Sequence, residues 1–367
     1  MSHEDAVETM VVAEMRGRVG CITLNRPQAL NALSLPMIRS LTQILKSWAQ
    51  DDDVLAVVVR GMSKQGAFGA FCAGGDIRFF HRAALTGDDD LSAFFTEEYA
   101  LNHLIHRYAK PYIALMDGIV MGGGMGISQG ASLRVVTERS KLAMPETGIG
   151  LFPDVGGGYF LSRCPQHMGE YLALTGQVIG APEALSVGLA DMCMDSHRLV
   201  KLWDSLANTP FTTGEAVERW VQTYALKSVE KPAWPASVIN DVFGLPGVMA
   251  IIERLEAEPG DWEQKTAELL RKRSPTMLHV VLEQVRRARQ MSLAEDLRME
   301  RDMVHQCFHL RPGENSETVE GIRALAIDKD HQPQWNPAKA EEVDQAQVSR
   351  YFESPWSADQ HPLRHLD

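Results

Sequence analysis

Two carboxylates stand eight residues apart in the stretch Met144-Pro-Glu-Thr-Gly-Ile-Gly-Leu-Phe-Pro-Asp-Val-Gly-Gly-Gly-Tyr159. Each acid, Glu146 and Asp154, directly follows a proline, Pro145 and Pro153. Proline fixes its own φ and biases its predecessor toward extended backbone, whereas glycine reaches conformations closed to other residues. A segment so constrained holds two acids in fixed, largely apolar surroundings. Such surroundings raise a carboxyl pKa and suit the group to acid–base work. The competing reading is a Gly/Pro turn with two solvated acids.

Three glycine-bearing loops accompany the acids: Gly74-Gly75, Gly122–Gly124 and Gly156–Gly158. The first two follow runs that read as buried strands. Backbone N–H groups from two such loops can converge on one oxygen and stabilise an enolate or a tetrahedral oxyanion. Glycine at these points lets a bulky substrate approach the backbone. For Gly122–Gly124 alone, close packing of a helix on a sheet explains the glycines equally well.

The surrounding chain supplies strands and helices to position these loops. Met10–Met15 and Val19–Leu24 are short, apolar and separated by Arg16-Gly17-Arg18, which predicts a hairpin. Ser34 with Pro36 marks a helix start, and Met37, Ile38, Leu41, Ile44, Leu45 and Trp48 follow at helical spacing. Val54–Val59, Pro111–Met116 and Leu133–Val136 read as buried strands. Helical character is expected from about Leu91 to Tyr108, after Met121-Gly-Gly-Gly-Met-Gly126, over Glu170–Thr175 and over Pro182–Gly188. From about Leu202 glycine thins out, and Met277–Gln290 and Leu293–His309 carry apolar residues at helical spacing. The expected organisation is an α/β core over 1–201, a mostly helical region over 202–353 and a tail over 354–367.

The formal charge of −12, from 36 basic and 48 acidic side chains, argues against nucleic-acid and anionic-membrane partners. Five cysteines without a C-x-x-C pair fit free thiols in a reducing compartment. The acidic start, Met1 to Thr9, has no apolar run and reads as neither a secretory signal nor a transit peptide. No stretch approaches the roughly 20 apolar residues that span a bilayer. A cytoplasmic protein is expected. The histidines form no i, i+4 pair with an acid, so no metal is expected.

Phe71-Cys-Ala-Gly-Gly-Asp-Ile-Arg78, Asp117-Gly-Ile-Val-Met-Gly-Gly-Gly124 and Met144-Pro-Glu-Thr-Gly-Ile-Gly-Leu-Phe-Pro-Asp154 resemble, in order and spacing, the crotonase (enoyl-CoA hydratase/isomerase) superfamily. The resemblance is closest to its branch of 3-hydroxyisobutyryl-CoA hydrolases. It extends through Ser274-Pro-Thr276, Glu320-Gly-Ile-Arg-Ala324 and Ile327-Asp-Lys-Asp330 to Trp335. It implies a spiral of strand–strand–helix repeats followed by the helical C-terminal region. It also implies an oxyanion hole from the N–H groups of Gly75 and Gly123, on the Gly122–Gly124 loop, around a thioester carbonyl.

The position of the first hydratase glutamate is Gly126 here, so of that pair only the second, Glu146, remains. Asp154 stands where the hydrolase branch carries it. Glu98 matches a substrate-contacting glutamate of that branch, against the plainer reading of a solvated helix face. The resemblance places the adenine of CoA near the backbone of Ala73 and Asp76, and the CoA phosphates near Arg78 and Lys329. No cofactor is implied beyond the CoA of the substrate. A homo-oligomer is possible, since crotonases often trimerise.

The expected activity is hydrolysis of a short β-hydroxyacyl-CoA, with 3-hydroxyisobutyryl-CoA of valine breakdown first and 3-hydroxypropionyl-CoA second. One rival is a hydratase or isomerase working with Glu146 alone. The other is a non-catalytic acyl-CoA binder, which would need neither Glu146 nor Asp154.

Overall fold

The computed structural model describes residues 9–367. The acidic start read above lies outside them except for Thr9. The chain builds a six-stranded sheet, in the order Val11–Arg16, Val19–Leu24, Ala56–Gly61, Tyr112–Met116, Leu133–Val136 and Met192–Cys193, and a two-stranded parallel sheet of Ile119–Met121 with Lys141–Ala143. β1 (Val11–Arg16) and β2 (Val19–Leu24) form the expected antiparallel hairpin. α1 (Leu35–Ala49) follows, with Ser34 at its cap position. The Ser34 hydroxyl, however, turns to the Met10 sulfur and leaves the helix backbone uncapped.

β3 covers Ala56–Gly61, two residues later than expected. Its parallel register with β2 begins at the pair Val19–Ala56, just after the hairpin turn, so Val54 and Leu55 lead in outside the ladder. α2 (Ile77–Thr86) and α3 (Asp90–His106) then precede β4 (Tyr112–Met116). β5 (Ile119–Met121), α4 (Gly123–Gln129), β6 (Leu133–Val136) and β7 (Lys141–Ala143) complete the next turns. α5 (Gly157–Ser162), α6 (Met168–Thr175) and α7 (Ala181–Ser186) lead to β8 (Met192–Cys193). β5, β7 and β8 escape sequence reading because two or three residues cannot display alternation.

The arrangement is a spiral. Each turn gives one strand to the large sheet and one short segment to the small one. Parallel bridges link Leu33 with Gly75 and Cys72 with Val120, beside the β5–β7 pair, and Leu142 bridges to Ile179. The glycine loops therefore stack on adjacent turns.

Side chains alternate across the large sheet, as period-two geometry requires. Ile22, Leu24, Val57, Val59, Ala114 and Val136 enter the main core. Cys21, Val58, Ile113, Leu115 and Val135 enter a second core on the other face. That second core is closed by α8 (Leu199–Ser205) and α9 (Gly214–Gln222) through Leu202, Trp203, Val217 and Val221. The boundary expected at 201/202 thus falls inside α8, which packs on the sheet.

The remaining helices are α10 (Ala236–Phe243), α11 (Val248–Ala257), α12 (Asp261–Lys272), α13 (Pro275–Ala288) and α14 (Leu293–His309). They join the main core. α15 (Glu317–Ile322) runs into a π-helical turn over Arg323–Ile327, and α16 is Gln345–Arg350. The tail is docked: Leu363 and Leu366 are buried, and Arg298 on α14 donates to the Leu366 carbonyl at 2.9 Å. All five cysteines are buried and unpaired.

Candidate active site

A cavity of about 330 Å³ opens where the stacked glycine loops meet the C-terminal region. Three carboxyl groups from three elements line it: Glu98 of α3, Glu146 and Asp154. All three are buried, at 2%, 6% and 6% exposure, which removes the solvated-turn and solvated-face readings. Glu146 opens a single 3₁₀ turn, Glu146–Ile149, closed by Gly150 in the left-handed region at φ +67°. Asp154 follows Pro153 and precedes Val155, held at φ +57°. A β-branched residue there is strained, a condition concentrated at functional sites.

Hydrogen bonding leaves the site primed for a ligand. The Tyr99 hydroxyl donates to Asp154 Oδ2 at 3.0 Å. Glu98 Oε1 and Glu146 Oε2 have no partner among the described residues, an expensive condition for buried oxygens. Burial pushes all three carboxyls up, and neighbouring carboxylate charge adds to the rise of Glu98 and Glu146. Asp154 rises to about 7, with the Tyr99 bond opposing the rise. Glu98 rises well above the usual carboxylate range through burial and the charges of Asp154 and Glu146. Glu146 rises likewise through burial and Asp154, opposed by its own backbone and by Arg273.

The glycines admit these acids. A methyl group on Gly123 would lie 2.5 Å from Glu98 Oε1, and one on Gly122 would lie 2.9 Å from Glu146 Oε1. The loops are also in mutual contact, since a methyl on Gly74 would stand 3.7 Å from the Gly123 nitrogen. The N–H groups of Gly75 and Gly123 have no acceptor within the protein among the described residues. The third glycine run behaves differently. The Gly156 and Gly158 N–H groups donate to Glu300 on α14, at 2.7 and 2.9 Å, so that loop is not open to substrate.

Gly126 settles how much hydratase machinery fits. A methyl there would meet Val155 Cβ at 2.6 Å and Asn102 Nδ2 at 2.9 Å. The space of a second glutamate is occupied by these two side chains.

Comparison with known proteins agrees with this architecture. The profile of the enoyl-CoA hydratase/isomerase family matches residues 19–352. The chain belongs to that family. Among curated relatives, 3-hydroxyisobutyryl-CoA hydrolase, mitochondrial, of Rattus norvegicus is 40% identical over 365 residues, covering 97% of this chain and 91% of that protein. The Homo sapiens protein of the same name is 38% identical over 363 residues, covering 97% and 92%. Among solved structures, a carnitinyl-CoA dehydratase from Mycobacterium thermoresistibile matches with TM-score 0.85 and 36% identity, covering 94% of this chain and 96% of that one. An enoyl-CoA hydratase from Rhodobacter sphaeroides 2.4.1 matches with TM-score 0.83 and 32% identity, covering 95% and 98%.

The other residues expected from the family resemblance divide. Ala73 lines the cavity, but its N–H donates to the Leu30 carbonyl at 3.0 Å, leaving only its carbonyl for a ligand. Asp76 is committed to the fold and does not fit the expected backbone contact to adenine. Its N–H donates to the Leu33 carbonyl at 3.0 Å, and its carbonyl accepts from Phe80. Its carboxylate caps α2 at the Phe79 N–H and pairs with Arg26 at 2.8 Å. Arg78 and Lys329 are exposed and make no ion pair among the described residues.

Two lining or supporting groups escape the sequence reading. Tyr99 is adjacent to Glu98 in sequence, yet only α3 packing shows that its hydroxyl reaches Asp154. Arg273 lines the cavity immediately before Ser274-Pro275-Thr276 and bonds the Thr175 carbonyl through Nε at 3.0 Å. Burial lowers its pKa while Glu146 opposes the fall. The motif beside it was the available signal.

Proposed function

We propose that this protein hydrolyses a short β-hydroxyacyl-CoA thioester, with 3-hydroxyisobutyryl-CoA as substrate and 3-hydroxyisobutyrate and CoA as products. The observation that carries the reading is the placement of Glu146 and Asp154 in one buried cavity, while the Gly126 position lies outside that cavity and is closed off by Val155 and Asn102. Hydration by two glutamates has no room there, while hydrolysis needs only one activated carboxylate. The curated relatives named as 3-hydroxyisobutyryl-CoA hydrolases support the same substrate.

In this reading the thioester carbonyl oxygen lies between the N–H groups of Gly75 and Gly123, which stabilise the developing oxyanion. Glu146 activates the attack. As a general base it takes a proton from water, and the hydroxide adds to the carbonyl carbon. As a nucleophile it adds directly, expels CoA thiolate and leaves an anhydride that water cleaves. In both routes the C–S bond breaks, and the thiolate takes a proton from the carboxyl cluster. Asp154, oriented by Tyr99 and titrating near neutrality, fits that proton transfer. Glu98, kept neutral by burial, donates to the β-hydroxyl of the acyl group. Arg78 and Lys329 face the CoA phosphates, and the Ala73 carbonyl accepts from adenine.

The test is thiol release from 3-hydroxyisobutyryl-CoA beside crotonyl-CoA and acetyl-CoA, in wild type and Glu146→Gln. Selective release in wild type, lost in the variant with CoA-ester binding retained, is expected. A double-bond reaction is the second reading, favoured by the dehydratase and hydratase names of the two solved structures. Loss of crotonyl absorbance without thiol release would select it. Single turnover in ¹⁸O water separates the two hydrolytic routes, because only the anhydride route can label Glu146.

A further inference from the structure

The turn that carries Asp154 is held from the C-terminal region by three buried polar side chains. On α14, Glu300 accepts the Gly156 N–H at 2.7 Å and the Gly158 N–H at 2.9 Å. One helical turn earlier, Asp296 accepts the Tyr159 N–H at 2.9 Å. On α13, Gln284 donates to the Pro153 carbonyl at 2.7 Å and to Glu300 at 3.1 Å. Gln284, Asp296 and Glu300 are fully buried. The bonds therefore grip the backbone on both sides of Asp154.

This arrangement explains two features of the turn. The cap position of α5 is Gly156, which has no side chain to cap the helix, so its first N–H groups need acceptors from elsewhere. The glycines also let α14 come close: a methyl on Gly158 would lie 2.4 Å from Asp296 Oδ1. Between the gripped groups stands Val155 at φ +57°, a strained conformation that persists only where its surroundings over-determine it. Without the grip, the backbone at Asp154 and Val155 would relax, and Asp154 would leave its bond to Tyr99.

We propose that Glu300, with Asp296 and Gln284, positions Asp154 for catalysis by clamping the Pro153–Tyr159 turn to α13 and α14. The clamp rests on the reading of Asp154 as a member of the hydrolytic site. Its own electrostatics suit the task. Burial carries Asp296 to about 6 and, together with Asp296, lifts Glu300 well above the usual carboxylate range. Burial of two neighbouring carboxyls favours holding a proton on the pair, and Asp296 Oδ1 has no partner among the described residues. The charged or titratable groups facing the clamp are Asp154 and Tyr99, toward Glu300, and Arg163, toward Asp296. Those facing Asp154 are Glu98, Tyr99, Glu146, Glu300 and Cys307.

The experiment compares wild type, Glu300→Gln, Glu300→Ala and Gln284→Met. Thiol release per folded site is measured across pH, and the Asp154 carboxyl is followed as the infrared difference between each protein and its own Asp154→Asn partner. Expected is a fall in kcat of roughly 10-fold for Gln and 100-fold for Ala, with KM changed less than about threefold. The Asp154 ionisation is expected to move toward the ordinary carboxylate range. Gln284→Met, which keeps the side-chain volume, is expected to lower kcat about 10-fold and serves if Glu300→Ala does not fold. Variants that unfold more readily but keep wild-type kcat, pH profile and Asp154 ionisation would overturn the proposal. The infrared readout is independent of the reaction: if wild type releases no thiol, the hydrolase reading fails while an unmoved Asp154 band still decides against the clamp.

Discussion

Asp154→Asn should separate what the carboxylate does for the reaction from what it does to the fold. Burial carries this carboxyl from its usual 3.8 to about 7. The native state therefore holds a proton that the unfolded chain has released. Each pH unit over which this is so removes ~1.4 kcal/mol of stability. The penalty is absent below the unfolded pKa and complete above about 7, where it reaches roughly 4 kcal/mol. Asparagine keeps an acceptor for the Tyr99 hydroxyl but carries no charge. It also relieves Glu98 and Glu146, both of which Asp154 pushes up. The variant should gain stability over wild type by about 3 kcal/mol on going from pH 4.5 to pH 8, read as the difference in urea-unfolding free energy. Its turnover should be lost over the same range. A stability difference that stays the same at both pH values would refute the claim that this carboxyl is buried and strained toward neutrality.

Gly123→Ala should cut thiol release about 100-fold, because its methyl displaces the Glu98 carboxyl and crowds an oxyanion donor, while the protein stays folded since a flexible side-chain end can give way. Gly126→Glu should destabilise by roughly 1–3 kcal/mol through overpacking on Val155 and Asn102, and should not bring crotonyl-CoA hydration; efficient hydration in an absorbance assay would show that the site tolerates a second glutamate after all. Arg273→Met removes the cation that opposes the rise of Glu146. The acid limb of kcat/KM should move to higher pH, and a profile identical to wild type would remove Arg273 from the site's electrostatics.

The sequence by itself determined the elements whose signals are local. Period-two and helical patterning located the hairpin, the buried strands and the long helices α3, α13 and α14, because apolar spacing decides those without reference to distant chain. The proline-preceded acids and the glycine loops marked Glu146, Asp154 and the three loops as candidate chemistry for the same reason, residue type and backbone constraint being written in sequence, while the choice of Gly75 and Gly123 within the loops came from the family resemblance. Tertiary structure decided which of the glycine loops stay open. Gly75 and Gly123 have N–H groups without an acceptor among the described residues, whereas Gly156 and Gly158 are bound by Glu300, more than 140 residues away in the chain. It decided that Asp76 serves α2 and Arg26, since a carboxylate takes the nearest donors the fold presents. It brought Tyr99 to Asp154 and Arg273 toward Glu146, pairings that depend on helix packing and leave no periodic trace. It also buried Glu98, Glu146 and Asp154 together, and so set their proton affinities, because desolvation and repulsion arise only when distant parts of the chain close around the same small volume.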